Sequence, residues 1–371
     1  MLARLIDFSL RQRALVLLAA LALALAGAWA YVHLPIDAFP DISPTQVKVI
    51  LKVPGMTPEE VEQRVSTPVE QELLGLPHKT IVRSVSKYGI SDVTVDFAEG
   101  TDVYWARQQV SERLAGIQRE LPATAEGGLA PITTPLGEMF MFTIEGPISL
   151  EDKRTLLDWT IRPALRTVTG VADVNSLGGK VRSFEIAPDP AALAARGLTL
   201  ATLQTALEAN NRNDGAGRLS DGEETLLVRA EGAIRNLDDV RAIVLKSDGG
   251  NVVRVGDVAA VRIGALTRYG AVTHSGAGEA VEGLVLGLRG ANAQAVIDGV
   301  KARLAEIAPS LPAGVSIQPF YDRSNLVDRA VGTVSKALLE AIVLVVLLLL
   351  AFLGNLRAAL VVALMLPLAA L

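Results

Sequence analysis

Two methionines, Met139 and Met141, are the residues whose type and spacing first indicate chemistry. They alternate with Phe140 and Phe142 and follow Glu138. Residues two apart on a β-strand point to the same face, so one wall of a sheet would present two thioethers beside a carboxylate. Thioethers bind soft cations such as Cu(I) and Ag(I). Because a Met/Phe strand buried on both faces needs no ligand, a hydrophobic core is the alternative explanation of this pattern.

Other motifs that could support catalysis or cofactor binding are incomplete. The Gly-Ala-Gly segment at 276–278 lacks the third glycine of a dinucleotide loop, and the nearby Glu282 would repel phosphate. Residues 84–87 match the Ser-x-x-Lys pattern of penicillin-recognising enzymes without the companion elements. Three histidines lie too far apart in the sequence to form a local ligand cluster: His33, His78 and His274. The sequence therefore predicts no catalytic centre and no bound cofactor.

The composition excludes further classes of function. A formal net charge of -5 gives no basic surface with which to bind nucleic acid. The absence of cysteine excludes disulfides and thiolate metal sites, so any metal would be held by Met, His or carboxylates. A length of 371 residues predicts two or three folding units, and an apolar content of 50% is high for a purely soluble protein of this size.

The apolar residues are concentrated at the two ends of the chain and leave a long, mostly polar stretch between them. An uncharged helix of about 20 residues crosses a bilayer. The sequence offers two such segments and the start of a third, inside which it stops: 14–34, 336–353 and 358–371. Arg11 and Arg13 precede the first segment and Arg357 follows the second, so residues 1–13 are predicted to be cytoplasmic and the polar body external. A cleavable signal peptide is the alternative for the first segment.

The polar body shows a repeated order of strand and helix patterns. Residues 35–132 follow a β-α-β-β-α order closed by a further strand, which is the split βαβ (ferredoxin-like) arrangement. A similar order starts in 133–181, breaks, and resumes in 269–330, so a second subdomain is predicted to be interrupted by an inserted α+β domain, 182–268. The predicted fold class is therefore membrane α-helical spans plus an α+β external body of two split βαβ subdomains and an insert.

Five short segments, in their order and spacing, resemble the resistance-nodulation-division (RND) family of proton-driven exporters, and most closely its heavy-metal efflux branch. The segments are 34–41 (LPIDAFPD), 55–62 (GMTPEEVE), 100–107 (GTDVYWAR), 321–324 (YDRS) and 352–357 (FLGNLR). Residues 131–138 (PITTPLGE) and a short polar arm at 210–222 are similar to the zinc-cobalt-cadmium and copper-silver pumps. The resemblance covers essentially the whole chain.

The resemblance implies the N-terminal part of a homotrimeric pump in the bacterial inner membrane. Such a pump works with a periplasmic adaptor protein and an outer-membrane channel, and it exports metal cations against a proton influx. On that pattern, 35–132 is the first periplasmic porter subdomain, 133–181 with 269–330 is the split second one, and 182–268 is the docking domain. The resemblance implies no enzyme activity and no cofactor. The family's proton-relay carboxylates and its methionine cluster belong to later parts of such chains, so we expect this fragment alone to be inactive.

The resemblance also assigns candidate residues. Four strand residues are expected to line the substrate-facing side of the second porter subdomain: Met139, Met141, Asn175 and Leu177. Four residues of the arm 210–222 are expected to contact a neighbouring protomer: Asn210, Asn211, Gly215 and Gly217. Met139 and Met141 are also the candidate metal ligands, although the residues leave the identity of the metal open.

Three other functions remain open at this point. A multidrug exporter of the same fold would need an aromatic-lined pocket, and an aromatic content of 4% favours ions instead. A membrane-anchored sensor or protein-export factor would use the external body only to bind a partner and would lack buried acids that carry protons. A membrane-anchored hydrolase would need a nucleophile and a base, and the sequence offers no coherent pair.

Overall fold

Strands and helices alternate through the body of the chain, as the sequence patterns predict. The computed structural model describes residues 11–33, 41–221, 224–248, 250–354 and 361. Within them, two sheet-and-helix modules and an insert lie between two long helices, which confirms the predicted α+β class. Most of the predicted cytoplasmic segment 1–13 lies outside the described residues. The same is true of the predicted third membrane segment, 358–371, apart from residue 361.

The first module is an antiparallel sheet in the order β2-β3-β1-β4 with two helices on one face. It follows α1 (Arg13–His33). Its elements are β1 (Gln46–Lys52), α2 (58–73), β2 (Lys79–Lys87), β3 (Ile90–Phe97), α3 (Val103–Ile117) and β4 (Glu126–Leu129). Val47, Val49 and Leu51 alternate along β1 and are all buried against the helices, so the two-residue period of the strand positions this core.

Helix α2 begins at a capping box. The Glu60 N–H donates to Thr57 Oγ1 at 3.4 Å, and the Thr57 N–H donates to Glu60 Oε2 at 2.9 Å, which is a complete capping box. The helix includes a π-helical turn, Glu62–Ser66, before it continues as Thr67–Leu73. Asp102 begins α3 in a similar way, because its Oδ1 accepts the Trp105 N–H at 2.8 Å.

The second module starts with β5 (Glu138–Glu145), α4 (150–165) and β6 (Val171–Gly178). An insert of small elements then follows. They are β7 (Arg182–Pro188), α5 (Pro190–Ala195), α6 (Leu200–Asn210), β8 (Asn213–Asp221), β9 (Glu224–Glu231), α7 (Leu237–Ala242), β10 (Val244–Asp248), β11 (Asn251–Arg254) and β12 (Ala259–Ala265). Strand β7 pairs with β12 and β10 pairs with β11, whereas β8 and β9 form a hairpin exposed along its described length.

The chain then returns to the second module with β13 (Val272–Thr273), β14 (Glu279–Gly287), α8 (Ala293–Ile307) and β15 (Ser316–Asp322). Strand β14 pairs with β5 on one side and with β6 and β13 on the other, and β15 pairs with β5. Phe140, Phe142 and Ile144 pack against Leu157 of α4 and Ile297 of α8. Burying each phenylalanine stabilises the fold by about 2–3 kcal/mol. Among the described residues, the helices that form this core, α4 and α8, both pack on this one face of the sheet.

Helix α9 (Ser324–Leu353) leaves the second module after a single residue, Arg323. Among the described residues, Ser324–Phe352 is the one helical stretch that is long and apolar enough to cross a membrane, and α1 contains a shorter apolar stretch, Arg13–Gly27. The helix starts well before the predicted segment 336–353, because the apolar pattern marks only its hydrophobic part. Its 30 residues rise about 45 Å, which is more than the hydrocarbon thickness of about 30 Å that a spanning helix must cover.

Candidate functional site

The face of the second sheet that carries no helices is the candidate site. In one row across the sheet, Asn175 of β6 lies opposite Leu284 of β14, which lies opposite Met141 of β5 and then Tyr321 of β15. The next row joins Leu177, Glu282, Thr143 and Gln318 in the same order. Opposed residues on neighbouring strands share a face. We call this side of the sheet the open face; its residues are Glu138, Met141, Thr143, Glu145, Asn175, Leu177, Glu282, Leu284, Gln318 and Tyr321, of which Thr143 and Leu284 are buried between their neighbours.

Met139 does not belong to the open face, and the predicted pairing of the two methionines on one wall is wrong. Val285 lies opposite Phe140, but the next residue of β14, Leu286, lies opposite Glu138, so Met139 is an extra residue in a β-bulge. The bulge breaks the two-residue alternation. Met139 is only 4% exposed and packs in the core with Phe140, whereas Met141 is partly exposed. Three of the four predicted path residues therefore meet on the open face: Met141, Asn175 and Leu177.

Three carboxylates, Glu138, Glu145 and Glu282, give the open face a negative charge, and Glu145 lies beside His274. No ion pair neutralises Glu138 or Glu282 among the residues that the structure describes. Burial, and then repulsion by Glu138, raises the pKa of the Glu282 carboxyl above its ordinary value. Asp173, opposite Leu286, is neutralised by Arg162, whose Nη2 lies 2.8 Å from Asp173 Oδ2. The sequence pattern missed Glu282, because a single acid in a strand gives no sign that burial and another carboxylate act on it.

The open face is tied directly to the start of α9. Lys301 Nζ lies 2.6 Å from Asp322 Oδ2, and the Ser324 N–H donates to Asp322 Oδ1 at 2.9 Å. Burial opposes ionisation of Asp322, but these hydrogen bonds outweigh it and hold the pKa of Asp322 below its usual range. The Arg323 N–H donates to the Met139 carbonyl at 3.1 Å, and Arg323 Nη1 donates to the Leu136 carbonyl. The end of the open face that carries the bulge is therefore fixed to the helix.

The histidines do not meet in the structure. His274 Nδ1 lies 3.3 Å from Glu145 Oε1, at the end of the open face away from the bulge. His78 packs edge-on against Trp105 in the first module, with ring centroids 5.4 Å apart. The side chain of His33 is outside the described part of the structure. Within the described ranges, no group of three or more His, Asp or Glu side chains is arranged to hold a metal ion.

The predicted arm is one strand of a hairpin. Residues 213–221 form β8, which pairs with β9, a strand that the polar composition of 210–222 did not predict. Asn210 and Asn211 bind within the chain: Asn210 Nδ2 donates to the Ala206 carbonyl at 2.8 Å, and Asn211 Oδ1 accepts the Ile234 N–H at 3.2 Å. Gly215 and Gly217 border a bulge in the hairpin. The two asparagines thus fix the base of the arm, and the two glycines lie in its exposed part.

Comparison with known proteins decides the family. A model of the family described as AcrB/AcrD/AcrF matches residues 5–371. The chain belongs to the AcrB/AcrD/AcrF family. Membership covers nearly the whole sequence, and it confirms the resemblance to RND exporters that the short segments indicate.

Relatives of this AcrB/AcrD/AcrF family member include cation efflux proteins. The chain is 43% identical over 381 residues to the cation efflux system protein CzcA of Alcaligenes sp. (strain CT14), and 40% identical over 364 residues to the cation efflux system protein CusA of Escherichia coli (strain K12). These alignments cover 100% and 97% of this chain but only 36% and 35% of the relatives, so the chain spans about a third of their length.

A solved structure gives the same result for the fold. The X-ray crystal structure of a heavy metal efflux pump matches with a TM-score of 0.89 and 37% identity. The match covers 98% of this chain and 37% of the pump. These likenesses confirm the predicted similarity to the heavy-metal efflux branch.

Proposed function

We propose that this chain forms the N-terminal third of a proton-driven efflux pump that exports heavy-metal cations. Membership of the AcrB/AcrD/AcrF family and the relatives named as cation efflux proteins support this proposal. The single observation that carries it is the open face, where Glu138 and Glu282 have no ion pair with any described residue and lie on the same face as Met141 and Asn175. A surface that concentrates negative charge attracts cations from solution.

The donor atoms of the open face favour divalent cations. Carboxylate and amide oxygens outnumber thioethers there, because the bulge leaves Met141 as the single methionine on the face. Borderline divalent ions such as Zn²⁺ and Co²⁺ accept oxygen ligands, whereas Cu(I) and Ag(I) prefer thioethers. The lack of a preassembled three-ligand cluster among the described residues suits a path that an ion must leave again.

The remaining features of the pump follow from the same proposal. Helices α1 and α9 are the inner-membrane spans, and the modules 35–132 and 133–181 with 269–330 are the periplasmic porter subdomains. The insert 182–268 is the docking domain, whose β8–β9 hairpin contacts a neighbouring protomer in a homotrimer. A periplasmic adaptor protein and an outer-membrane channel complete the export route, and the protons are carried by a part of the pump outside this chain.

The proposal is tested by transport in the full-length protein. Everted membrane vesicles that contain it are expected to take up ⁶⁵Zn²⁺ when a proton gradient is applied. Removing the two carboxylates that have no ion-pair partner among the described residues, with Glu138→Gln and Glu282→Gln, is expected to lower kcat/KM for zinc on the order of tenfold. Glu120→Gln is the matched control, because Glu120 is an exposed acid of the first module, away from the open face. Gradient-independent zinc levels in wild-type vesicles would overturn the proposal.

A further inference from the structure

The position of Met139 depends on a glycine in the neighbouring strand. The Met139 side chain lies over Gly287 of β14, where a Cβ atom would overlap both its Sδ and its Cε. Gly283 accommodates Phe142 in the same way, since a Cβ there would overlap the Phe142 ring. The two glycines therefore provide the space into which two bulky side chains of β5 pack.

The backbone of the bulge is held from the other side of β5. Arg323, only 4% exposed, connects β15 to α9 and donates its N–H to the Met139 carbonyl at 3.1 Å. Its guanidinium donates to the Leu136 carbonyl. Gly287 and Arg323 thus fix the side chain and the main chain of the same residue, and the bulge is specified by contacts from β14 and from the junction between β15 and α9.

The consequence concerns which donor atoms the open face can offer. If β5 alternated regularly, Met139 and Met141 would present two thioethers beside Glu138, a set that suits Cu(I) or Ag(I). With the bulge, one thioether remains among carboxylate and amide oxygens.

We propose that Gly287 determines the metal specificity of the open face by keeping the Met139 thioether in the core. The inference rests on the proposed function, because it concerns selectivity among cations that the open face would bind. It makes Gly287 a specificity-determining residue that touches no ion. Its effect is exclusion of a soft ligand from an oxygen-rich surface.

The decisive experiment is Gly287→Ala in the full-length protein, purified in detergent and titrated with Ag⁺ as the probe. The added methyl group overlaps the Met139 Sδ and Cε. Met139 is therefore expected to leave the core for the open face, and Ag⁺ is expected to bind on the order of tenfold more tightly than to the wild type. Adding Met139→Leu to Gly287→Ala is expected to abolish that gain. A gain that persists in the double variant, or no gain in the single variant, would refute the role of Gly287.

Gly283→Ala is the matched control, because it introduces the same methyl group into the same strand but displaces Phe142 and no thioether. It is expected to destabilise the module without tighter Ag⁺ binding. Tighter Ag⁺ binding by this control would show that disturbance of β14 suffices, and would overturn the proposal.

A second measurement needs no glycine substitution. Treatment of the wild type with hydrogen peroxide, followed by peptide mass spectrometry, is expected to oxidise Met141 and to spare Met139. Likewise, Met141→Leu is expected to weaken Ag⁺ binding and Met139→Leu to leave it unchanged. Equal oxidation of the two methionines, or equal effects of the two substitutions, would contradict the proposal. Neither readout uses transport, so failure here is distinct from failure of the vesicle assay.

Discussion

The most informative single residue of the open face is Glu282. Its carboxyl group is partly buried and faces the charge of Glu138, and both effects favour the protonated form. An acid whose pKa is raised by folding stabilises the protein below its unfolded pKa of about 4.3, and that contribution is lost as the pH rises through the folded pKa. At neutral pH the ionised Glu282 is therefore a cost to stability, which a cation on the open face would offset.

Glu282→Gln removes this cost. The variant is expected to melt at a higher temperature than the wild type at pH 7, and the difference is expected to shrink as the pH falls towards 4. Thermal unfolding followed by circular dichroism at both pH values measures the effect. The matched variant Glu120→Gln, at an exposed acid, is expected to give no such pH-dependent difference. A lower melting temperature for Glu282→Gln at pH 7 would mean that Glu282 makes a favourable contact when ionised.

The sequence predicts local features of residues better than features set across strands. The capping box of Thr57 and Glu60 depends on neighbours in sequence, and both hydrogen bonds are present. The bulge at Met139 depends on Gly287 and Arg323, which lie far along the chain. The alternation of Met and Phe therefore predicted a regular strand and placed Met139 on the wrong face. Glu282 was missed for the same reason, since its environment is built by β5 and β14 together.

At the scale of elements, the junction between β15, α8 and α9 carries the connection to the proposed membrane span. Asp322 is only 14% exposed at its side chain and accepts hydrogen bonds from Lys301 and Ser324. A single residue separates the strand from a helix of 30 residues. A displacement of the helix must therefore be transmitted to the sheet, since no flexible linker lies between them.

Lys301→Met tests the junction. Loss of the charged hydrogen bond to Asp322 is expected to destabilise the second module by about 1–3 kcal/mol, measured by urea unfolding at pH 7. Because the pKa of Asp322 is held low in the folded state, the stabilisation is present above the unfolded pKa and is lost as the pH falls through the folded one. The difference between variant and wild type should thus diminish at acid pH. Lys52→Met, at an exposed lysine of β1, is the control and should change the stability little.

At the scale of the whole molecule, Arg289 links the segment before the first module to the second module. Arg289 donates to the Ser43 carbonyl at 2.6 Å and to Thr45 Oγ1 at 3.1 Å. This segment precedes β1, and Asp322 to Ser324 begin α9 at the end of β15. Both connections towards the long helices are therefore made on the second module, the module that bears the open face. Such a layout suits the proposed pump, in which motion of membrane helices changes access to a cation path.

The hairpin β8–β9 gives the last prediction, which concerns assembly. Its base is fixed by Asn211, which accepts the Ile234 N–H, and by Asn213, whose Oδ1 accepts the Gly232 and Ala233 N–H groups at 3.1 Å each. The double substitution Asn211→Ala and Asn213→Ala removes these hydrogen bonds, so the hairpin is no longer held in one orientation relative to the rest of the insert. In the proposed homotrimer, ordering a loose arm costs conformational entropy on association. The trimer fraction of the full-length protein in detergent, measured by analytical ultracentrifugation, is expected to fall several-fold. Asn251→Ala changes an exposed residue of the β10–β11 hairpin and should leave the trimer fraction unchanged. An unaltered trimer fraction in the double variant would show that the arm does not form the contact between protomers.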